Sequence, residues 1–232
     1  MRLRIMRVGS RSVTGFTGSH ARTRLAQARL YVCTDARTSR GDFRAFIEAI
    51  TSAGVDIVQL RDKDLDARQM LEALEVLGEV CEANGALWCV NDRADIAAAA
   101  GAPVMHVGQA DLPPAQVRRI VGPEVIIGQS THSAVDLSGA LSDPDVDYFA
   151  VGPLWATPTK PGRAPAGLEY LDEAVAADAD KPWFAIGGID NTNIADVAAR
   201  GAQRVVVVRS VTEADDPAAV VRELLAALPA RS

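Results

Sequence analysis

The chain has 232 residues, 48% of them hydrophobic, 23% charged and 5% aromatic, which is enough for one large domain or two small ones. Apolar runs stop at charge, Gly or Pro before the length a membrane span needs, and the three cysteines (Cys33, Cys81, Cys89) form no CxxC pair, so a transmembrane helix, a disulfide scaffold and a collagen-like fibre are excluded. Lys and Arg number 24 against 30 Asp and Glu; the net charge of −6 argues against nucleic-acid partners, and free thiols suit a reducing cytoplasm.

Residues 1–24 hold six arginines and no Asp or Glu, leaving 18 basic against 30 acidic residues in the rest of the chain. With no apolar signal region and a Gly/Ser/Thr-rich composition, residues 1–26 are expected to be a flexible basic extension; an organellar transit peptide is the other reading of this stretch. From residue 27 to 232 no linker divides the chain, and short β-branched runs alternate with helical patterns. The first strand candidate, 30–33, precedes Phe43, Phe46, Ile47 and Ile50 at helical spacing. The second, 57–60, ends in Gln59-Leu60-Arg61-Asp62-Lys63 and is followed by the helical series Met70, Leu71, Leu74, Leu77 and Cys81. The third, 87–90, ends in Asn91-Asp92-Arg93, and the fourth, 104–107, in His106-Val107-Gly108-Gln109-Ala110-Asp111. Ser130-Thr131-His132 follows the fifth, 125–127.

The sixth strand candidate, 148–151, leads into 155–167, where three prolines and two glycines accompany Lys160 and Arg163; neither period fits, so this is a long loop and a candidate lid. The seventh, 183–186, runs into Gly187-Gly188 and a helix bounded by Asp190 or Asn191 and by Gly201. After the eighth, 205–208, the last helix has Asp215 or Asp216 as N-cap, Pro217 in its first turn, and an apolar face of Val220, Val221, Leu224, Leu225 and Leu228.

Continuous apolar strands separated by helices indicate a parallel sheet covered by helices, and eight units in about 200 residues suit a (β/α)8 TIM barrel better than an open doubly wound sheet. Six consecutive strands, the second to the seventh, end in polar or glycine-rich groups, and in a barrel these converge on one face. Arg61, Lys63 and Lys160 are cationic donors suited to a phosphate or diphosphate. Asp92 and Asp111 are hard oxygen ligands able to share Mg2+, although each could instead cap a following helix. Gly187-Gly188, opening the seventh helix, would offer backbone N–H groups and the helix dipole to a second phosphate. His106 reads as a packed strand-end residue and His132 as a candidate for acid–base work. No nucleophile triad, reactive cysteine, GxGxxG or Walker pattern emerges.

Q-L-R-D-K at 59–63, N-D at 91–92, H-V-G-Q-A-D at 106–111, I-G-Q-S-T-H at 127–132, D-Y-F-A-V-G-P-L-W-A-T-P-T-K at 147–160 and A-I-G-G-I at 185–189 together resemble the thiamine phosphate synthase (thiamine-phosphate pyrophosphorylase) family, in its order and over nearly everything but the N-terminal stretch. The resemblance implies a TIM-barrel transferase acting on small phosphorylated substrates. It would condense 4-amino-2-methyl-5-(diphosphooxymethyl)pyrimidine with a thiazole phosphate, giving thiamine phosphate and diphosphate through a pyrimidine-stabilised carbocation. By the same resemblance Gln59, Arg61, Lys63, Asn91, Ser130 and Lys160 would hold the pyrimidine diphosphate, with Arg61, Lys63 and Lys160 assisting the chemistry. Asp92 and Asp111 would hold one Mg2+ per site, and Thr157, Thr159 and Gly188 would contact the thiazole phosphate. One departure stands out: Val208-Arg209-Ser210-Val211 occupies the place of the family's Val-Ser-Ala-Ile-like turn. A thiazole tautomerase of the same superfamily, a non-catalytic phosphate-binding barrel and another phosphosugar-type barrel enzyme are the competing readings. The sequence leaves a homo-oligomer open.

Overall fold

A computed structural model describes residues 18–157 and 164–230. In chain order the elements are α1 (Gly18–Gln27), β1 (Leu30–Thr34), α2 (Phe43–Ser52), β2 (Ile57–Leu60), α3 (Ala67–Ala83), β3 (Leu87–Asn91), α4 (Ala94–Ala100), β4 (Val104–Val107) and α5 (Pro114–Val121). There follow β5 (Ile126–Thr131), α6 (Ala134–Ser142), β6 (Tyr148–Val151), α7 (Gly167–Ala176), β7 (Trp183–Ile186), α8 (Ile194–Ala199), β8 (Val205–Val207), α9 (Arg209–Thr212) and α10 (Pro217–Ala227). The strands pair in sequence and β8 returns to β1, with Tyr31 opposite Val206, so the parallel sheet closes into the eight-stranded barrel expected and the open sheet is set aside.

Side chains alternate across the strands. Leu30, Val32, Val58, Leu60 and Val90 pack outward against the helices, while Tyr31, Cys33, Ile57, Leu87, Cys89, Val104, Ile126, Tyr148 and Phe184 fill the interior. Local chemistry agrees with these boundaries. Asp66 and Gln69 form a capping box at the start of α3, and Asp216 caps α10 by accepting from the Ala219 N–H at 2.9 Å, with Pro217 in the first turn.

Residues 18–26, assigned by composition to a flexible extension, instead lie in α1. Small or apolar residues at Gly18, Ala21 and Leu25 repeat on one buried face, and Leu25 joins the interior cluster beneath Ile57 and Leu87. Arg22 donates to the Pro123 carbonyl at 2.9 Å and Arg204 to the Ala26 carbonyl at 2.9 Å, tying the helix to the bottom of the barrel. Residues 1–17 lie outside the described part of the chain.

Four strand C-terminal ends also differ from expectation, those of β1 and β3 by one residue, at Thr34 and Asn91. β5 continues to Thr131, four residues beyond the apolar run, because Gly128 leaves room for the Tyr148 ring (a Cβ there would lie 2.1 Å from its Cζ) and Thr131 Oγ donates to the Ala150 carbonyl at 3.0 Å. β8 stops at Val207, where Val208 begins the turn of α9. Among the described residues no helix is long and apolar enough to cross a membrane.

Candidate active site

The C-terminal ends of the strands surround a cavity of about 690 Å³. Gln59, Arg61, Lys63, Asn91, Asp92, Asp111 and Ser130, drawn from β2 to β5 and the loops after them, all line it. Gln59 and Ser130 belong to inward positions of β2 and β5, low on the walls; they are only 3% and 7% exposed. Arg61 and Lys63 rise above them on the loop after β2, whose first turn is held by the Arg61 N–H donating to the Thr34 carbonyl at 2.8 Å.

Asp92 and Asp111 come together although they lie on different loops. Asp92 adopts the left-handed backbone (φ +61°), uncommon for a side chain other than glycine, and its N–H donates to the His106 carbonyl at 2.9 Å. It does not cap α4: Arg93 occupies that position, without a side-chain cap. Asp111 is not a cap either, since it accepts from the Gly108 N–H at 2.8 Å within its own loop while Pro113 precedes α5. Burial, and then the Asp111 carboxylate beside it, hold Asp92 above the usual carboxylate range; Asn91 and Lys63 act in the opposite direction. Two adjacent hard oxygen donors with uncompensated charge are a fitting seat for a divalent cation that takes its remaining ligands from phosphate oxygens and water. Among the described residues no group of three or more His, Cys, Asp or Glu forms a fuller metal cage.

A second chamber of about 310 Å³ adjoins the first. Thr157, Gly187, Gly188, His132 and Ser210 line it, and it shares Ser130, Ile186, Val206, Val208, Arg209 and Glu213 with the larger one. Gly187 (φ +105°) lets the end of β7 approach the segment after β6: a Cβ would fall 2.5 Å from the Pro153 Cα, and the Trp155 N–H donates to the Gly187 carbonyl at 3.0 Å. The expectation that Gly187-Gly188 opens a helix is corrected. α8 begins only at Ile194, because Asp190 Oδ1 accepts from the Thr192 N–H at 2.8 Å and Asn193 reaches back to the Gly188 carbonyl at 2.8 Å, building a turn in between. Whatever binds beside these glycines therefore meets turn backbone and not a helix end.

The remaining expected residues sort as follows. His106 is packed, bonded on both ring nitrogens to Tyr148 and Ser130. His132 faces the smaller chamber, and its Nδ1 contacts the Gly152 carbonyl. Thr159 and Lys160, with most of the long loop after β6, lie outside the described residues. The three cysteines are buried, and burial pushes the Cys89 thiol up to about 11, which removes it as a nucleophile.

Two further cations border the site, one of them, Arg40, missed in the sequence and the other, Arg209, visible there only as a departure from the family's turn. Arg40 lines the larger cavity from the loop after β1, and Arg209 borders both chambers. The polar run Asp35–Arg40 was a readable signal for the first of these. Its neighbour Arg37 is structural: it chelates Asp42 with two bonds of 2.7 Å, donates to the Thr212 carbonyl at 2.9 Å and stacks on Phe46. Beside Arg209, the Ser210 hydroxyl is buried without a partner.

Known proteins are similar to this chain in sequence and fold. The family described as thiamine monophosphate synthase matches residues 30–211. A thiamine-phosphate synthase of Arthrobacter sp. (strain FB24) is 55% identical over 228 residues, covering 89% of this chain and 96% of its own. One from Acidothermus cellulolyticus is 54% identical over 206 residues, covering 89% and 97%. A solved thiamine phosphate pyrophosphorylase from Pyrococcus furiosus superposes with a TM-score of 0.79 at 29% identity, over 88% of this chain and 96% of that one. A matched pattern running from β1 to α9, relatives of this identity over almost their whole length, and a superposable barrel agree: the chain belongs to the thiamine monophosphate synthase family.

Proposed function

We propose that the two chambers bring 4-amino-2-methyl-5-(diphosphooxymethyl)pyrimidine and a thiazole phosphate together, and that the chain acts as the transferase that joins them into thiamine phosphate with release of diphosphate. One observation carries the reading: a cavity holding Arg61, Lys63 and the Asp92–Asp111 pair above a polar floor adjoins, across shared walls, a second chamber beside Gly188, an arrangement suited to two phosphorylated molecules side by side.

The C–O bond to the diphosphate breaks with its electron pair leaving on diphosphate, and the thiazole nitrogen lone pair captures the pyrimidine-stabilised cation to form the C–N bond. Gln59, Asn91 and Ser130 orient the pyrimidine by hydrogen bonds. Arg61, Lys63 and Lys160 neutralise the departing diphosphate, a role that needs charge and no protein nucleophile. Asp92 and Asp111 would hold one Mg2+, which when bound supplies further charge neutralisation to the diphosphate oxygens. Thr157, Thr159 and Gly188 grip the thiazole phosphate, and Arg209 adds a cation at the seam. The buried thiols suit a reducing, cytoplasmic setting.

The test is a direct assay with both substrates and Mg2+, following diphosphate and thiamine phosphate by chromatography. Product that requires both substrates and disappears with EDTA is the expected outcome. Thiazole phosphate bound but never consumed would sink the transferase reading in favour of a tautomerase or a binding barrel.

A further inference from the structure

The polar groups at the bottom of the larger cavity, Tyr31, Gln59, His106 and Ser130, are joined to one another through Tyr148, which lies under them. Gln59 Nε2 donates to the Tyr31 hydroxyl at 2.8 Å, which meets the Tyr148 hydroxyl at 3.3 Å. The Tyr148 hydroxyl meets His106 Nδ1 at 3.1 Å, and His106 Nε2 meets Ser130 Oγ at 2.9 Å. Residues from β2, β1, β6, β4 and β5 thus form one chain across the barrel, with Gln59 and Ser130 at its two ends. The amide of Gln59 is pinned on its other side, where Oε1 accepts from the Cys33 thiol at 3.3 Å.

Tyr148 is the middle of this chain. It is fully buried and is not among the residues lining either chamber, so it cannot touch a ligand. Its ring packs edge-on against Phe184 with centroids 5.7 Å apart, a contact that phenylalanine would make equally well. The hydroxyl is therefore present for the chain and not for packing. Burial holds both tyrosine hydroxyls well above their usual pKa, so both remain neutral donors. A serine hydroxyl rotates freely and a glutamine amide can present either end; fixed neighbours are what give each a single orientation. An aminopyrimidine offers donors and acceptors at set positions on its rim, so a floor that recognises it needs that single orientation.

We propose that Tyr148, acting through His106 and Tyr31, is a positioning residue that orients Ser130 and Gln59 for the pyrimidine ring and so sets the selectivity of the floor. The inference rests on the reading above that these two side chains contact the pyrimidine.

The experiment is Tyr148→Phe in the full chain, with both KM values and kcat measured. The KM for the pyrimidine diphosphate is expected to rise about tenfold, as loss of one buried hydrogen bond implies, while the KM for the thiazole phosphate and kcat stay within about twofold. In a Ser130→Ala background the same substitution should raise that KM by no more than about threefold, because most of its route to the ligand is already gone. Tyr170→Phe is the control: it removes another buried tyrosine hydroxyl, bonded to Thr131 at 2.7 Å on the helix side of β5, and should leave all three constants unchanged. His106→Asn, which keeps a group facing Tyr148 and deletes the one facing Ser130, serves if Tyr148→Phe does not fold; because His106 also lines the cavity, it should reproduce the split alone and add no more than about threefold in the Ser130→Ala background. An unchanged pyrimidine KM, an equal rise in both KM values, or full multiplication with Ser130→Ala overturns the inference while leaving the transferase reading intact. Absence of turnover by the unmodified protein overturns both.

Discussion

Along β2, the inward side chain changes character within a single step of two residues. Ile57 lies in the apolar interior above α1, and Gln59, about 7 Å higher, faces the cavity. The same change occurs from Cys89 to Asn91 on β3, from Val104 to His106 on β4, and from Ile126 past Gly128 to Ser130 on β5. The lower end is dry, apolar and sealed by a helix. The upper end is polar, carries both signs of charge and is left open. Eight strands serve both purposes at once, so stability and activity should be separable by height in the barrel.

The largest effect should come from the top. Lys63→Ala removes a charge from an exposed loop and should lower kcat by about 10²–10³-fold with Tm unchanged; a turnover near that of the unmodified protein at saturating substrate would remove Lys63 from the mechanism. The converse lies one step below the cavity. Ile57→Ala should destabilise the fold by about 2–4 kcal/mol in chemical denaturation while both KM values hold; altered KM values would show that the two ends are not independent. A smaller effect tests the seam: Arg209→Ala should raise the KM for the thiazole phosphate by about fivefold, and by less for the pyrimidine diphosphate, if its charge serves the second chamber. The smallest shift is informative through its sign. Asp92→Asn keeps a residue tolerant of the left-handed backbone and relieves the crowding of two carboxylates, so the metal-free protein should melt about 2 °C higher while the Mg2+-dependent activity is lost. A lower Tm would mean that the pair stabilises the fold, contrary to its electrostatics.

The alternation of strands and helices and the polar rim were legible because they depend on periodicity and on the C-terminal ends of strands, both local in sequence, whereas the barrel was inferred from the count of eight units in about 200 residues. Three things were not. α1 was hidden because its buried face is made of Gly18, Ala21 and Leu25, too small and sparse to show as a stripe. The full length of β5 was hidden because Gly128 reads as a turn, whereas its missing side chain makes room for a ring twenty residues away in sequence. The Tyr31–Tyr148 contact depends on how distant strands face each other across the barrel, which no single stretch of sequence encodes. For the opposite reason, the Gly187-Gly188 reading goes too far: the glycines are visible, but Asp190 and Asn191, expected at the start of α8, belong to the turn that delays it to Ile194.

The helix at the bottom has one more consequence. With α1 fastened by Arg22 and Arg204, the barrel is a cup and not a tube. Both chambers lie at the C-terminal ends of the strands and share Ser130, Ile186, Val206, Val208, Arg209 and Glu213, all on the side of the barrel away from α1. On the proposed reading, traffic would be a matter of sequence in time: a molecule seated on the floor would have to arrive before one that covers it at the seam.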